Sequence, residues 1–118
     1  MLRAPIFMKL TSMVVHKPYK GKEEELIPAI KASYRDLYKT GYVTAQAPRL
    51  IRTSGNSIII IFEWNSRETR EASQFHPVVQ SHWMKLSKLC EFDKASNLTE
   101  FQNPFPAFEN IEWKDWDQ

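Results

Sequence analysis

Histidine is the residue type in this sequence best suited to proton transfer, and the chain contains three. Imidazole titrates near neutral pH, so it can act as a general base or bind a metal ion. His82 precedes Trp83 in a segment of helical periodicity, which predicts a position at the edge of a buried helix face. His82 is therefore the candidate catalytic residue, and a partly exposed structural histidine is the alternative.

The other two histidines and the single cysteine offer weaker chemistry. His76 precedes Pro77 at a predicted helix start, where its expected role is local, although a role in ligand binding stays open. His16 follows the predicted first strand and is expected in a surface loop. Cys90 cannot form an intrachain disulfide, and no neighbouring Cys or His suggests a metal site or a nucleophile. We therefore expect no metal site.

Aromatic side chains could provide the walls of a small-molecule site. Trp64 ends the most apolar segment of the chain, and an indole there would supply a flat apolar surface with one N–H donor. Tyr34 and Tyr38 lie one helical turn apart and could reach the same cleft. With Trp83 and His76 they form the predicted ligand-binding set. The alternative is that these aromatic residues belong to the core.

The strand that must position these residues is the segment 57–64, which contains four consecutive isoleucines followed by Phe, Glu and Trp. β-Branched and aromatic residues favour strands, and alternate side chains of a strand point to opposite faces. One face carries Ile58, Ile60, Phe62 and Trp64, and the other carries Ile59 and Ile61. Both faces are apolar, so both have to be covered.

The flanking segments predict the remaining elements. Strands are expected at 7–15 and 42–52, with a weak last strand within 92–101, and a tight turn at 54–56 predicts an antiparallel hairpin. A helix is expected at 23–39, followed after the hairpin by a short helix capped by Asn65 or Ser66 and ending near Gln74, and by one from Pro77 to about Cys90. This order predicts an α+β fold of the ferredoxin-like βαββαβ type, with an antiparallel sheet and helices on one face.

Helices on one face leave the other face of the sheet without a cover. A second copy of the chain would supply one through a two-fold interface, which predicts a homodimer. The domain is assigned to residues 1–100, and residues 101–118 form an aromatic-rich tail. Disordered tails are poor in aromatic residues, so we expect this tail to pack on its own domain or on a partner subunit, where it could cover part of the open face.

Length and composition exclude several function classes. The chain has 118 residues and a net charge of +2 without a basic cluster, so nucleic acid is not an expected partner. It contains no apolar run long enough for a membrane span or a signal peptide, and we expect a cytoplasmic protein. It contains no Gly-rich phosphate loop, nucleophile elbow or paired-His metal motif, so hydrolase and kinase activities are unsupported.

Three local patterns are shared with a known family. They are Gly21 followed by an acidic helix start, the triplet 41–43 (Gly-Tyr-Val), and the segment 62–66 (Phe-Glu-Trp-Asn-Ser). Over roughly residues 7–100 the chain resembles the antibiotic biosynthesis monooxygenase domain family, of the dimeric α+β barrel superfamily. The resemblance implies a homodimer that binds an aromatic compound between sheet and helices. It also implies cofactor-independent oxidation, in which the substrate carbanion activates dioxygen.

The same superfamily includes haem-degrading enzymes. That branch uses an Asn on the first strand, a Trp at the end of the third strand and a His on the second helix. Trp64 matches the Trp, His82 approximately matches the His, His76 is a looser match, and the first strand offers Thr11 or Ser12 in place of Asn. The resemblance thus leaves three functions open: a cofactor-independent monooxygenase, a non-catalytic ligand-binding or interaction module, and haem binding or degradation.

Overall fold

A central apolar strand organises the computed structural model, which describes residues 8–118. The elements are β1 (Leu10–Pro18), α1 (Glu23–Lys39), β2 (Arg49–Arg52), β3 (Ile58–Trp64), α2 (Arg67–Ser73), α3 (Pro77–Ser87), β4 (Cys90–Asp93) and β5 (Glu109–Asn110), with 3-10 turns at Ala95–Asn97 and Thr99–Gln102. The strands form one antiparallel sheet in the order β4-β1-β3-β2-β5. The predicted α+β class and antiparallel sheet are confirmed, and the arrangement is consistent with a ferredoxin-like fold.

The strand β3 lies in the middle of the sheet, between β1 and β2. Val14 is the Cα partner of Ile60 on one side, and Leu50 is its partner on the other. Ile59 on the opposite face is 0 % exposed. Ile61 on the same face is only partly buried, so the predicted cover of this second face is confirmed at Ile59 and is partial at Ile61.

Two separate apolar clusters cover the two faces of the sheet. The larger lies under the helices, where Leu26, Ile30 and Tyr34 of α1 meet the inward residues of β3. On the other face Ile59 is packed with Leu98 and Phe108, which belong to the segment after β4. The chain's own C-terminal part thus covers a portion of the face that lacks helices.

The helix α1 occupies the predicted range 23–39. Its three first-turn glutamates oppose the positive end of the helix dipole. Gly41 follows the last turn with φ +80°, the left-handed conformation that ends many helices and that glycine adopts without steric cost. This prediction is confirmed at both ends of the helix.

The first and second strands differ from their predicted bounds. The strand β1 runs to Pro18 because β4 pairs along residues 15–18, whereas the predicted start at Phe7 lies outside the described residues. The predicted strand 42–52 is wrong over most of its length. Val43 forms an isolated bridge with Trp64, and the Thr44 hydroxyl accepts a hydrogen bond from the Gln46 N–H, so the backbone turns before β2 begins. The hairpin between β2 and β3 is confirmed.

The second half of the chain also contains differences. Ser66, not Asn65, caps α2, through a capping box with Thr69, while the Asn65 amide donates to the Gly41 carbonyl. The helix α3 begins at Pro77 as predicted but ends at Ser87, because β4 starts at Cys90. The weak last strand predicted within 92–101 is confirmed only at its start, where β4 ends at Asp93, and is wrong at 98–101, since Thr99–Gln102 is a 3-10 turn. The buried helix face predicted beside His82 is also incomplete, because Trp83 is 60 % exposed.

The C-terminal residues cross the edge of the sheet and reach α1. The strand β5 pairs with β2, and Ile111, Trp113 and Trp116 pack against the helix-side cluster. The Trp116 ring stacks on Tyr38, with centroids 5.2 Å apart, and Arg35 pairs with Asp115 at 2.9 Å.

Residues 8–118 contain no helix that is both long and apolar enough to cross a membrane.

Removing the Trp116 ring tests how much this packing contributes to stability. Trp116→Ala deletes a partly buried indole that contacts two tyrosines, so the free energy of unfolding in urea should fall by about 2 kcal/mol. Phe105, which is 86 % exposed in the same tail, provides the control, and Phe105→Ala should stay within about 0.5 kcal/mol. Equal effects of the two substitutions would contradict this assignment.

Candidate functional site

A cavity of about 390 Å³ lies between the helix-covered face of the sheet and the helices α1 and α3. Its volume is near the lower end of the range of roughly 300–1,000 Å³ found for ligand sites. Aliphatic and aromatic side chains form most of the wall, including Ile30, Leu37, Ile60, Phe62 and Leu86. Such a cavity suits a small, largely apolar compound.

The alternation of β1 places polar groups in this apolar wall. Ser12, Val14 and His16 share the face that looks toward the helices, because their Cα partners are the inward residues of β3. All three line the cavity. A serine hydroxyl and an imidazole are therefore fixed on the rigid central part of the sheet.

Trp64 lines the cavity at the end of β3. Its indole N–H donates a hydrogen bond to the Ser12 hydroxyl oxygen at 2.7 Å, and its ring meets Phe62 edge-on with centroids 5.1 Å apart. The indole donor is thus satisfied within the protein. Trp64 therefore offers the cavity an apolar ring surface.

Tyr34 lines the cavity from α1 and is buried. Its ring is held edge-on by Phe62 and Trp113, and its hydroxyl has no hydrogen-bond partner within residues 8–118. Burial, with a smaller contribution from Tyr38, raises the pKa of Tyr34 to about 12. The phenol is therefore neutral at physiological pH.

His82 lines the cavity from α3 and contacts a carboxylate on the neighbouring helix. Its Nε2 lies 2.6 Å from Asp36 Oδ2, and its side chain is 11 % exposed. A carboxylate that accepts from one imidazole nitrogen fixes the tautomer and leaves the lone pair on the other nitrogen. The pair can therefore act as an oriented base, with Nδ1 as the proton acceptor.

His16 is the group for which the structure differs most from the prediction. The expected surface loop is wrong, because His16 lies within β1, is 2 % exposed and lines the cavity. Its Nδ1 lies 3.0 Å from the carbonyl oxygen of Ile58. Burial is the main cause that lowers the pKa of His16 to about 4, so the ring is neutral at physiological pH.

The remaining predicted site residues lie in different places. Trp83 lines the cavity but is largely exposed, which puts it at the rim. Tyr38 is not among the lining residues, since its ring stacks on Trp116. His76 is also outside the cavity. It caps α3 by accepting a hydrogen bond from the Val78 N–H, and it borders a separate shallow depression beside Asp36.

The side chains that could hold a cofactor fit haem poorly. The Ser12 hydroxyl already accepts from Trp64, and His82 Nε2 already contacts Asp36. Within residues 8–118 there is no group of three or more His, Cys, Asp or Glu side chains placed to hold a metal ion. Burial raises the pKa of the Cys90 thiol to about 11, which keeps it a poor nucleophile.

Two functional groups were missed by sequence reasoning. His16 could have been found by extending the predicted first strand by one residue, since it is in phase with Ser12 and Val14. Asp36 had no such signal. It lies 46 positions from His82, and only the packing of α1 against α3 brings the two side chains together.

Comparison of the chain with protein-family models, with curated proteins and with solved structures finds no match. The functional argument therefore depends on the geometry of the cavity and on the chemistry of its polar groups.

The buried neutral state of His16 predicts a pH-dependent stability. The pKa of His16 is about 4 in the folded chain and 6.5 ordinarily. Between these two values His16 is protonated in the unfolded chain and neutral in the folded chain. The free energy of unfolding should therefore fall as the pH drops from 6.5 toward 4, by roughly 3 kcal/mol from this group. Urea unfolding at about pH 7 and about pH 4.5 measures the change.

The substitution His16→Asn removes the titrating group and keeps an N–H donor for the Ile58 carbonyl, so the pH-dependent loss should shrink by about 2 kcal/mol. His76→Asn is the control, because Asn is also a good helix cap and His16 is untouched. A loss of the same size in wild type and His16→Asn would show that another group is responsible.

Proposed function

We propose that this protein binds a small aromatic compound in the cavity and oxidises it with dioxygen, without a cofactor. The observation that carries the proposal is the His82–Asp36 pair, which places an oriented base beside an apolar cavity walled by Trp64. General bases of this kind contribute typically a hundredfold or more to rate. The family resemblance of the sequence supplies the reaction class.

In the proposed reaction, His82 Nδ1 removes a proton from an acidic CH₂ group of the substrate. The carbanion reduces dioxygen, and the two radicals combine to a peroxide that loses water to give a ketone. One CH₂ and one O₂ thus become one C=O and one H₂O, so no external reductant is required. The His82 proton returns to the departing oxygen. The apolar walls limit access of water to the carbanion.

A binding module without catalysis is the second candidate. The observation in its favour is that the His82–Asp36 contact joins α3 to α1 and could serve to hold the helices together. Both candidates require the ligand to enter the cavity, so turnover is the property that distinguishes them. We do not propose haem degradation, since the Ser12 hydroxyl already accepts from Trp64 and His82 Nε2 already contacts Asp36.

We further propose a ferredoxin-like βαββαβ topology in which the second helix is divided into α2 and α3 and β5 is added at the end. We also propose a homodimer and a cytoplasmic location. In support of the homodimer, the face of the sheet without helices is only partly covered: Met13 is 40 % exposed, and its Cα partner Ile61 is partly buried. A second copy packed on this face would bury both side chains.

In support of the cytoplasmic location, the free buried thiol of Cys90 fits a reducing compartment.

Replacement of the proposed base tests the reaction. An anthrone is a suitable probe, because its CH₂ group is acidic and its quinone product is coloured. With His82→Gln, turnover followed by oxygen consumption should fall at least about a hundredfold. Asp36→Asn should lower it about tenfold or more by releasing the imidazole.

The matched control is Asp115→Asn, which removes a carboxylate that pairs with α1 away from the cavity and should leave turnover unchanged. Binding of the anthrone without oxygen consumption by the wild type would favour the second candidate. Oxygen consumption unaffected by His82→Gln would remove His82 from the mechanism.

Introducing a charge on the open sheet face tests the homodimer. Sedimentation velocity at micromolar concentration should give a dimer for the wild type and a monomer for Met13→Glu, because a carboxylate in an apolar interface is costly to desolvate. Phe105→Glu, at an exposed position of the tail, should remain dimeric. A monomeric wild type would rule the homodimer out.

A further inference from the structure

The short helix α2 makes one part of the cavity wall polar. Arg70, Glu71, Ser73 and Gln74 all line the cavity, and Gln74 is the C-cap residue that follows the helix. Arg70 and Gln74 are four positions apart, so their side chains lie one helical turn apart on the same face. The Ser73 hydroxyl donates to the Arg70 carbonyl oxygen at 2.7 Å and is thereby occupied within the helix. The polar groups that this wall offers a ligand are therefore a guanidinium, a carboxylate and an amide.

Arg70 gives this wall a positive charge that pairs with no carboxylate of residues 8–118. Among the lining residues that the structure describes, it is the only lysine or arginine, and Glu71 is the only aspartate or glutamate. Glu71 already faces another cation, because its carboxylate oxygen lies 3.9 Å from Arg67 Nε, and Arg67 is not a lining residue. The charge that α2 leaves facing the cavity is therefore positive.

The side chains of Arg70 and Gln74 can both donate hydrogen bonds to a ligand. Gln80 contacts Gln74 only at its backbone carbonyl oxygen, and neither the guanidinium nor the Gln74 amide forms a hydrogen bond within the described part of the chain. A guanidinium presents a planar fork of N–H donors that matches the two oxygens of a carboxylate. A carboxylate also carries the single negative charge that one arginine balances, whereas a phosphate carries nearly two.

We infer that the cavity takes aromatic compounds that carry a carboxylate, and that Arg70 binds this carboxylate with the Gln74 amide as a second donor. This inference rests on the proposed function, because it assumes that the cavity takes an aromatic ligand. It adds the charged group that the ligand presents and the side chains that recognise it.

Arg70 and His82 then have different tasks. The guanidinium stays protonated, so Arg70 cannot remove a proton from the ligand and is a specificity-determining residue. His82, on α3, remains the proposed base. Arg70 is exposed, so the carboxylate that it binds keeps part of its contact with water and avoids the cost of full desolvation. The carboxylate contact fixes one end of the ligand at α2 while the apolar walls hold its rings.

A matched pair of ligands separates the contribution of the charge from that of the rings. 2-Naphthoate and 2-naphthamide share one bicyclic skeleton, and the amide replaces the carboxylate by a neutral group of similar shape. Titration calorimetry with the full chain at low salt should show that 2-naphthoate binds about tenfold more tightly than 2-naphthamide.

Replacement of the cation tests its assignment. Arg70→Gln should bring the ratio of the two affinities close to one, and glutamine is as good a helix former as arginine, so the exposed site tolerates it. Lys85→Gln is the matched control, because it removes the same charge from an exposed position on α3 that does not line the cavity, and it should retain the wild-type ratio. Gln74→Met should weaken binding of 2-naphthoate about threefold, and unchanged affinity would remove Gln74 as the second donor.

A measurement on the wild type makes the test independent of any variant. Raising the salt concentration from about 0.01 M to about 1 M shortens the Debye length from about 30 Å to about 3 Å, so the preference for 2-naphthoate should fall to about threefold or less. Binding of 2-naphthamide should change much less. A preference that is the same at both salt concentrations would overturn the ion pair.

The remaining outcomes distinguish this inference from the proposed function. Equal affinities of the wild type for 2-naphthoate and 2-naphthamide at low salt would overturn the carboxylate preference and leave aromatic binding in place. A preference that survives Arg70→Gln but is lost in His82→Gln would assign the carboxylate contact to His82 and also overturn it. Failure of both compounds to bind would overturn the proposed function and this inference together.

Discussion

The strand β3 is apolar on both faces, and this constraint determines most of the architecture. Burying one aliphatic side chain contributes about 1.5–3 kcal/mol, so a strand with isoleucines on both faces is stable only between two covers. The helices supply one cover, and the segment containing Leu98 and Phe108 supplies part of the other. The central position of β3 and the path of the C-terminal residues both follow from this requirement.

The same constraint places the polar groups of the cavity. Since β1 pairs with β3 along seven residue pairs, its inward side chains stand in register with the apolar residues of β3. Ser12 and His16 are therefore held on a rigid surface, where a displacement would break several sheet hydrogen bonds. The helices then bring a second imidazole, His82, over this surface. Polar side chains fixed on the sheet and an oriented base above them can hold a ligand in the cavity in one orientation.

Elements with strong local signals could be predicted from the sequence. The helix 23–39 has an apolar stripe, an acidic start and a glycine at its end, and its bounds agree with the structure. The strand around the isoleucines was equally clear. The prediction failed where tertiary pairing overrides local preference: β1 extends because β4 pairs with it, and the segment 42–48 lacks ladder partners apart from one bridge. The last predicted strand, within 92–101, exists only at its start as part of β4, whereas Leu98 packs on the sheet face and Thr99–Gln102 forms a 3-10 turn.

Predicting the site was harder, because its chemistry depends on contacts between distant segments. Trp64, Tyr34, His82 and Trp83 all line the cavity, and each had a local reason to be considered. The Asp36 partner of His82 had none, since the contact exists only after α1 and α3 pack together. His16 was misplaced because the first strand was ended too early, which shows how strongly a residue's assignment depends on one strand boundary.

The pairing of β5 with β2 has a consequence for how the sheet can grow. An unpaired edge strand is a template for strands of other chains, and β5 occupies one of the two edges that a four-stranded sheet would leave free. β5 itself is only two residues long, too short to recruit another strand effectively. Within residues 8–118, the four-residue strand β4 is then the main lateral template, so edge-to-edge polymerisation is restricted to one side of the molecule.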